Sequence, residues 1–168
     1  MMIVIDDFIK ESWILHAFSD VEMWQTLCDK GFGNYWNGQD TLEYEGLKDV
    51  ILEVYSTYWN KIQYTKFEYW VNITDARRVL EWHVDKDEEI AQKEERLVSP
   101  KIGAVWYGCP QKVSGGYLEI ANPYENNEYD IERIEPVYNR LVIFDVSKTH
   151  RVAPIFEGTR YGLQINLW

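Results

Sequence analysis

Phe67-Glu68-Tyr69-Trp70-Val71-Asn72-Ile73 is the stretch at which the chain changes its period. Phe67, Tyr69, Val71 and Ile73 alternate with Lys66, Glu68, Trp70 and Asn72, and a two-residue period sends successive side chains to opposite faces of a strand. Thr74-Asp75-Ala76 reads as a turn, and Val79 to Asp85 reads as the strand that returns from it. On that returning strand His83 and Asp85 point the same way.

Before this stretch the period is helical. Leu47, Val50, Ile51, Val54, Tyr55 and Tyr58 form the stripe of an amphipathic helix that begins near Asp40 or Thr41 and buries one face. Val21 to Lys30 is a shorter helix stopped by Gly31 and Gly33, and Tyr35-Trp36 follows as an irregular aromatic patch. Further upstream, Met2 to Ile5 reads as a short buried strand. Asp6-Asp7 supply a helix N-cap with acid in the first turn, and Ile9, Trp13, His16 and Ala17 recur at helical spacing behind it. His16 thus falls on an apolar face, where a histidine reads as a core or boundary residue and not as a ligand.

After the stretch, Asp87 to Arg96 is a dense charge run, read as a solvated loop or short helix. Beyond Pro100 nearly everything is strand. Ile102 to Tyr107 is a continuous apolar run, Gly115-Gly116 marks a bend where backbones approach, and Tyr117 to Ile120 resumes. Tyr129 to Pro136, a turn at Tyr138-Asn139-Arg140, Leu141 to Asp145, a strand around His150, and Thr159 to Leu167 complete the series. Helices first and strands afterwards mean segregated layers, so the class is α+β and mainly β. The expected architecture is a sandwich or double-stranded jelly roll with the N-terminal helices packed on one sheet. One domain over residues 1–168 is expected, with the strand and helices in 1–60 and the jelly-roll core in 61–168. Such a fold leaves an open mouth between its sheets, where ligand sites commonly lie.

The 168 residues suffice for a sizeable core, and 46% hydrophobic with 15% aromatic residues excludes a disordered chain. A net charge of −11 repels phosphate backbones and anionic lipid, so nucleic acid and membrane surfaces are not expected partners. Cys28 and Cys109 have no paired spacing, which points to a reducing compartment. The apolar start at Met1 to Ile5 is too short for a secretory signal, and no apolar run has membrane-spanning length. A soluble, cytoplasmic protein is expected.

Chemistry concentrates in few residues. Two of the three histidines, His83 and His150, together with Asp85 offer two imidazoles and one carboxylate. On one side of a cation, with other positions open, that set suits iron(II) engaged in oxygen chemistry. Arg160 follows His150 by ten residues and opens the last strand, sharing a face with Gly162, Gln164 and Asn166. An arginine beside a glycine on a polar interior face suits the clamping of a carboxylate, because guanidinium offers a planar bidentate fork.

Trp82-His83-Val84-Asp85-Lys86-Asp87-Glu88, Tyr107, Gly115-Gly116-Tyr117-Leu118, Phe144-Asp145 before His150-Arg151-Val152, and Gly158-Thr159-Arg160-Tyr161 resemble, in that order, the 2-oxoglutarate- and Fe(II)-dependent oxygenases of the prolyl-4-hydroxylase-like branch. The similarity spans roughly residues 62–168, and the preceding strand and helices look like that branch's usual preface. The resemblance implies a double-stranded β-helix, or cupin-like jelly roll, in which His83, Asp85 and His150 bind Fe(II) and Arg160 binds the distal carboxylate of 2-oxoglutarate. It also implies a Tyr107 hydroxyl near that carboxylate, 2-oxoglutarate and O2 as cosubstrates, and ascorbate as a candidate reductant. The implied reaction hydroxylates an unactivated C–H of a peptidyl or small amino-acid-like substrate and converts 2-oxoglutarate to succinate and CO2.

Two departures bear on the prime substrate. Prolyl hydroxylases often carry lysine where this chain has Arg160, and Tyr117-Leu118 directly follows the double glycine here. Asp87, Glu88 and Glu89 near the mouth favour a neutral or cationic substrate, and Trp70 joins the site only if its strand register permits. The alternative reading is a non-catalytic cupin-like metal-binding or sensing domain, for which Arg160 has no evident use.

Overall fold

The computed structural model describes residues 2–78, 80–123 and 129–168; Val79, the first residue of the expected returning strand, lies outside the described residues. In chain order the elements are β1 (Met2–Ile5), α1 (Ser12–Ala17), α2 (Val21–Asp29), β2 (Asn34–Trp36), α3 (Glu45–Val54) with a π-helical turn at Tyr55–Trp59, β3 (Phe67–Thr74), β4 (Leu80–His83) and α4 (Glu88–Glu94). There follow β5 (Ile102–Trp106), β6 (Val113–Gly115), β7 (Leu118–Pro123), β8 (Tyr129–Ile134), β9 (Leu141–Phe144), β10 (His150–Val152), β11 (Ile155–Gly158) and β12 (Arg160–Leu167).

These strands form a six-stranded sheet of order β1-β9-β5-β12-β3-β2 and a four-stranded sheet of order β4-β10-β7-β8, with β11 and β6 paired separately. The class is α+β and mainly β, built as a double-stranded β-helix with helices against one sheet. Strand alternation accounts for that layering. On β12 the residues Leu163, Ile165 and Leu167 face out of the jelly roll into a core with Trp24, Leu47, Val50 and Ile51 of α2 and α3. Each fully buried side chain of this kind contributes roughly 1.5–3 kcal/mol. A second core, of Val105, Tyr107, Leu118, Ile120, Val142 and Phe144, joins the two sheets at one end of their interior. Arg160, Gln164 and Asn166 are buried on that inner side of β12.

Several local expectations give way to tertiary contacts. Asp6-Asp7 do not cap a helix: α1 begins at Ser12 behind Glu11, and Asp6 accepts from Arg140 Nε and Nη2 at 2.6 and 3.0 Å. Asn139 holds the intervening segment extended, accepting from the Ile9 amide at 3.0 Å and donating to its carbonyl at 2.9 Å. Because α1 starts late, it buries Ile14 and leaves Trp13 and His16 exposed, so the expected Ile9–Trp13–His16 face does not exist. α3 likewise starts at Glu45, later than Asp40 or Thr41, because the Asn37 side chain turns the chain by accepting from the Gln39 and Asp40 amides. The Tyr35-Trp36 patch is strand β2, paired with β3.

The largest correction concerns Thr74 to Ala76. β3 and β4 are not a hairpin: β3 pairs with β12 and β2, whereas β4 pairs with β10 in the other sheet. The chain crosses between sheets there, and that crossing sets β4, with His83 at its end, in the sheet opposite β3. The double glycine behaves as expected. Gly115 and Gly116 have φ of 81° and 68°, and a Cβ on Gly115 would lie 2.4 Å from the Pro154 carbonyl oxygen. Among the described residues no helix is long and apolar enough to cross a membrane.

Candidate metal and dicarboxylate site

His83 ends β4 and His150 opens β10, and the antiparallel register makes them direct partners with ring centroids 4.3 Å apart. Each imidazole is aimed by its own backbone. His83 Nδ1 lies 2.7 Å from the Glu81 carbonyl and His150 Nδ1 lies 2.8 Å from the Lys148 carbonyl. A carbonyl only accepts, so each Nδ1 donates to it and Nε2 is the atom that each ring offers to the cluster. Burial pushes the His83 pKa down, against the Glu81 carbonyl bond and with help from His150, which favours the neutral ligating form.

Asp85 lies two residues beyond His83, its amide donating to the Val146 carbonyl at 3.0 Å. Its Oδ1 is 3.7 Å from His83 Nε2 and 3.6 Å from His150 Nε2. Oδ2 is taken by Asn166 Nδ2 at 2.9 Å, and Gln164 Nε2 in turn reaches Asn166 Oδ1 at 3.3 Å. Donor atoms of His83, Asp85 and His150 all lie within 4.8 Å of one another, the cluster with metal-ligand character among the described residues. Two imidazoles and a carboxylate converging from one side, with a cavity on the other, fit Fe(II).

That cavity, about 610 Å³, is lined by both sheets. Away from the His–Asp–His cluster it meets Arg160, which is 3% exposed and opposite Thr74 in the β12–β3 register. Arg160 Nη2 donates to the Tyr107 hydroxyl at 3.0 Å. Arg160 Nε and Thr74 Oγ1 are buried without partners among the described residues. Buried orphaned donors are costly, and a carboxylate bound there would satisfy them. Gly162 makes room for the guanidinium, since a Cβ there would lie 3.2 Å from Arg160 Nη1.

The remaining lining is aromatic and charged. Phe32 meets Trp70 edge-on at 5.9 Å, and the Arg151 guanidinium lies 4.5 Å over the Trp82 ring. Arg151 and Arg133 both hold Glu119, at 2.7 and 2.6 Å. Burial raises the Glu119 carboxyl, but the two arginine hydrogen bonds outweigh it and leave the pKa lowered. Trp70 thus lines the cavity through the β3–β12 register and not through a hairpin with β4. His16 lies outside the cluster. The charge run is α4, capped by Asp87, whose side chain accepts from the Ile90 amide at 2.9 Å. The partnering of Asp85 by Asn166, and the presence of Glu68 and Thr74, were not read from sequence. The available signal was parity: Glu68, Trp70, Asn72 and Thr74 share one face of β3, opposite Asn166, Gln164, Gly162 and Arg160.

A fold that presents two imidazoles, a carboxylate and a buried arginine between the sheets of a jelly roll belongs to a known class. The family described as the 2OG-Fe(II) oxygenase superfamily matches residues 69–168, and the chain is a member of that superfamily. Its metal is Fe(II) and its cosubstrate 2-oxoglutarate. Among solved structures, a Pseudomonas putida prolyl-4-hydroxylase superposes with a TM-score of 0.63 at 16% identity, covering 99% of this chain and 86% of that one. A Trichoplax adhaerens prolyl hydroxylase in complex with a hypoxia inducible factor peptide fragment gives 0.66 at 19% identity, covering 99% and 83%. A viral collagen prolyl hydroxylase from Paramecium Bursaria Chlorella virus-1, in complex with 2OG, gives 0.64 at 13%, covering 99% and 94%. The fold is therefore prolyl-4-hydroxylase-like. No curated protein sequence matches the chain.

Proposed function

We propose that the chain is a hydroxylase in which His83, Asp85 and His150 hold Fe(II), and Arg160 with Tyr107 holds the distal carboxylate of 2-oxoglutarate. The observation that carries this reading is Arg160, 3% exposed, with its Nε unpartnered among the described residues and its Nη2 on the Tyr107 hydroxyl. A non-catalytic metal-binding or sensing domain has no use for a buried guanidinium of that kind.

Bound together, Fe(II) and 2-oxoglutarate would activate O2, the oxidant: one oxygen atom would enter succinate as CO2 is lost, and the other would convert a C–H bond into C–OH. The chain's own residues bind, orient and exclude water. His83 and His150 offer Nε2, and Asp85 offers Oδ1 because Asn166 occupies Oδ2. Arg160 and the Tyr107 hydroxyl orient the dicarboxylate, and the Thr74 hydroxyl is available beside them. Val105, Leu118 and Val152 give that part of the cavity an apolar wall, which strengthens charge pairing by keeping water out. The prime substrate is a peptidyl or small amino-acid-like molecule. The peptide complex of the Trichoplax relative supports the peptidyl form.

Purified protein incubated with Fe(II), 2-oxoglutarate and ascorbate is expected to release succinate, slowly without prime substrate. Failure to bind either metal or 2-oxoglutarate would sink the reading.

A further inference from the structure

The cavity has two electrically distinct ends. Along β3, Thr74 faces Arg160 while Glu68, six residues earlier, faces Asn166, the residue that holds Asp85. Six residues of strand span about 20 Å. On the proposed reading, 2-oxoglutarate occupies the space between the ligand cluster and Arg160. Glu68, Trp70 and Phe32 are then left for the prime substrate.

Charge at that end is unbalanced. A divalent cation and a dianionic cosubstrate cancel, as do Asp85 and Arg160. Glu88 has Lys86 at 3.6 Å, and Arg151 is held by Glu119 at 2.7 Å, a carboxylate it shares with Arg133. Glu68 has no such partner: among the described residues no lysine or arginine forms an ion pair with it. The neighbouring Lys66 ammonium lies instead over the Tyr35 ring at 3.7 Å and the Trp168 ring at 5.7 Å. The Glu68 carboxylate accepts from Trp168 Nε1 at 2.8 Å, which fixes it in place without neutralising it. Beside it stand Trp70 and the exposed Phe32, in edge contact. A fixed carboxylate next to aromatic faces attracts a cation twice, by ion pairing and through the ring quadrupoles.

We propose that the prime substrate presents an ammonium or guanidinium group, bound by Glu68 beside the Trp70 and Phe32 rings. This inference rests on the oxygenase reading, because that reading assigns the Arg160 end to 2-oxoglutarate. It makes Glu68 a specificity-determining residue and gives the aromatic lining a partner that the ligand cluster does not need.

The test is calorimetric titration of the anaerobic holoprotein, loaded with Fe(II) and 2-oxoglutarate, with acetyl-lysine amide and acetyl-arginine amide. Their neutral counterparts, acetyl-norleucine amide and acetyl-citrulline amide, serve as comparison. The cationic probes are expected to bind at least about tenfold more tightly, with an advantage that shrinks as salt is raised. Glu68→Gln is expected to abolish the advantage, whereas Glu88→Gln, which removes a carboxylate already paired with Lys86, retains it. Equal affinity for cationic and neutral probes, no binding of either cationic probe, or an advantage that survives Glu68→Gln overturns the inference. The wild-type comparison needs no variant, so misfolding of Glu68→Gln leaves the inference testable. Titration of 2-oxoglutarate into the same protein separates the two readings. Bound 2-oxoglutarate without cation preference overturns this inference alone, and absent 2-oxoglutarate binding overturns the oxygenase reading.

Discussion

Asn166 Nδ2 donates to Asp85 Oδ2 at 2.9 Å, joining two residues 81 positions apart in the chain. That bond leaves Oδ1 facing both histidine Nε2 atoms, and Asn166 itself is 1% exposed in the last strand.

Asn166→Ala is therefore expected to free the Asp85 carboxylate to rotate and to weaken metal binding by about 10–100-fold. Competition against a metal-binding dye reads the change. Unaltered metal affinity would remove Asn166 from the site's support.

Arg160→Ala is expected to weaken 2-oxoglutarate binding by about 2–5 kcal/mol while sparing metal affinity, since Arg160 stands at the Thr74 end of β12 and Asn166, which holds Asp85, stands at the Glu68 end. Tyr107→Phe removes one hydroxyl and is expected to cost only about 0.5–1.5 kcal/mol. Parallel titrations of metal and of 2-oxoglutarate distinguish the two. Equal cosubstrate affinity in Arg160→Ala contradicts the assignment.

Gly162→Ala tests the same end sterically. The added Cβ would sit 3.2 Å from both Arg160 Nη1 and Val105 Cγ2. Displacement of the fork is expected to lower 2-oxoglutarate affinity several-fold, with metal affinity and the thermal transition little changed. An affinity matching wild type would show that the guanidinium has slack.

Glu119 supports the sheet that carries both histidines, because Arg151 follows His150 directly and stacks on Trp82, which precedes His83. Glu119→Gln is expected to cost about 1.5–3 kcal/mol, the worth of a hydrogen bond to a charged group. Because its folded pKa lies below the ordinary 4.5, its stabilisation is complete above that value and is lost as pH falls toward the folded value. Chemical denaturation on either side of pH 4.5 should show wild type and Glu119→Gln converging in acid. A difference independent of pH would contradict the ion-pair account.

The local pattern made the elements and the candidate ligand residues legible for definite reasons. The period of two over Phe67 to Ile73 and the face split of Arg160 to Leu167 follow from strand geometry alone, and both hold in the structure. Few histidines and a lone arginine on a polar strand face left little choice of candidates, and the residues chosen converge. Helix starts depart from the local pattern where distant side chains intervene, as Asn139 does for Ile9 and Arg140 for Asp6.

Sequence by itself determined the class, the order of helices and strands, and which side chains are candidates for the chemistry, because period, composition and residue type act over a few neighbours. Only the tertiary structure decided that the turn after Thr74 crosses between sheets, that Asn166 holds Asp85, and that Glu68 shares a cavity with the ligand cluster. Strand pairing between distant segments sets those relationships. Pairing register depends on the closing of the whole jelly roll, which no local run of residues encodes.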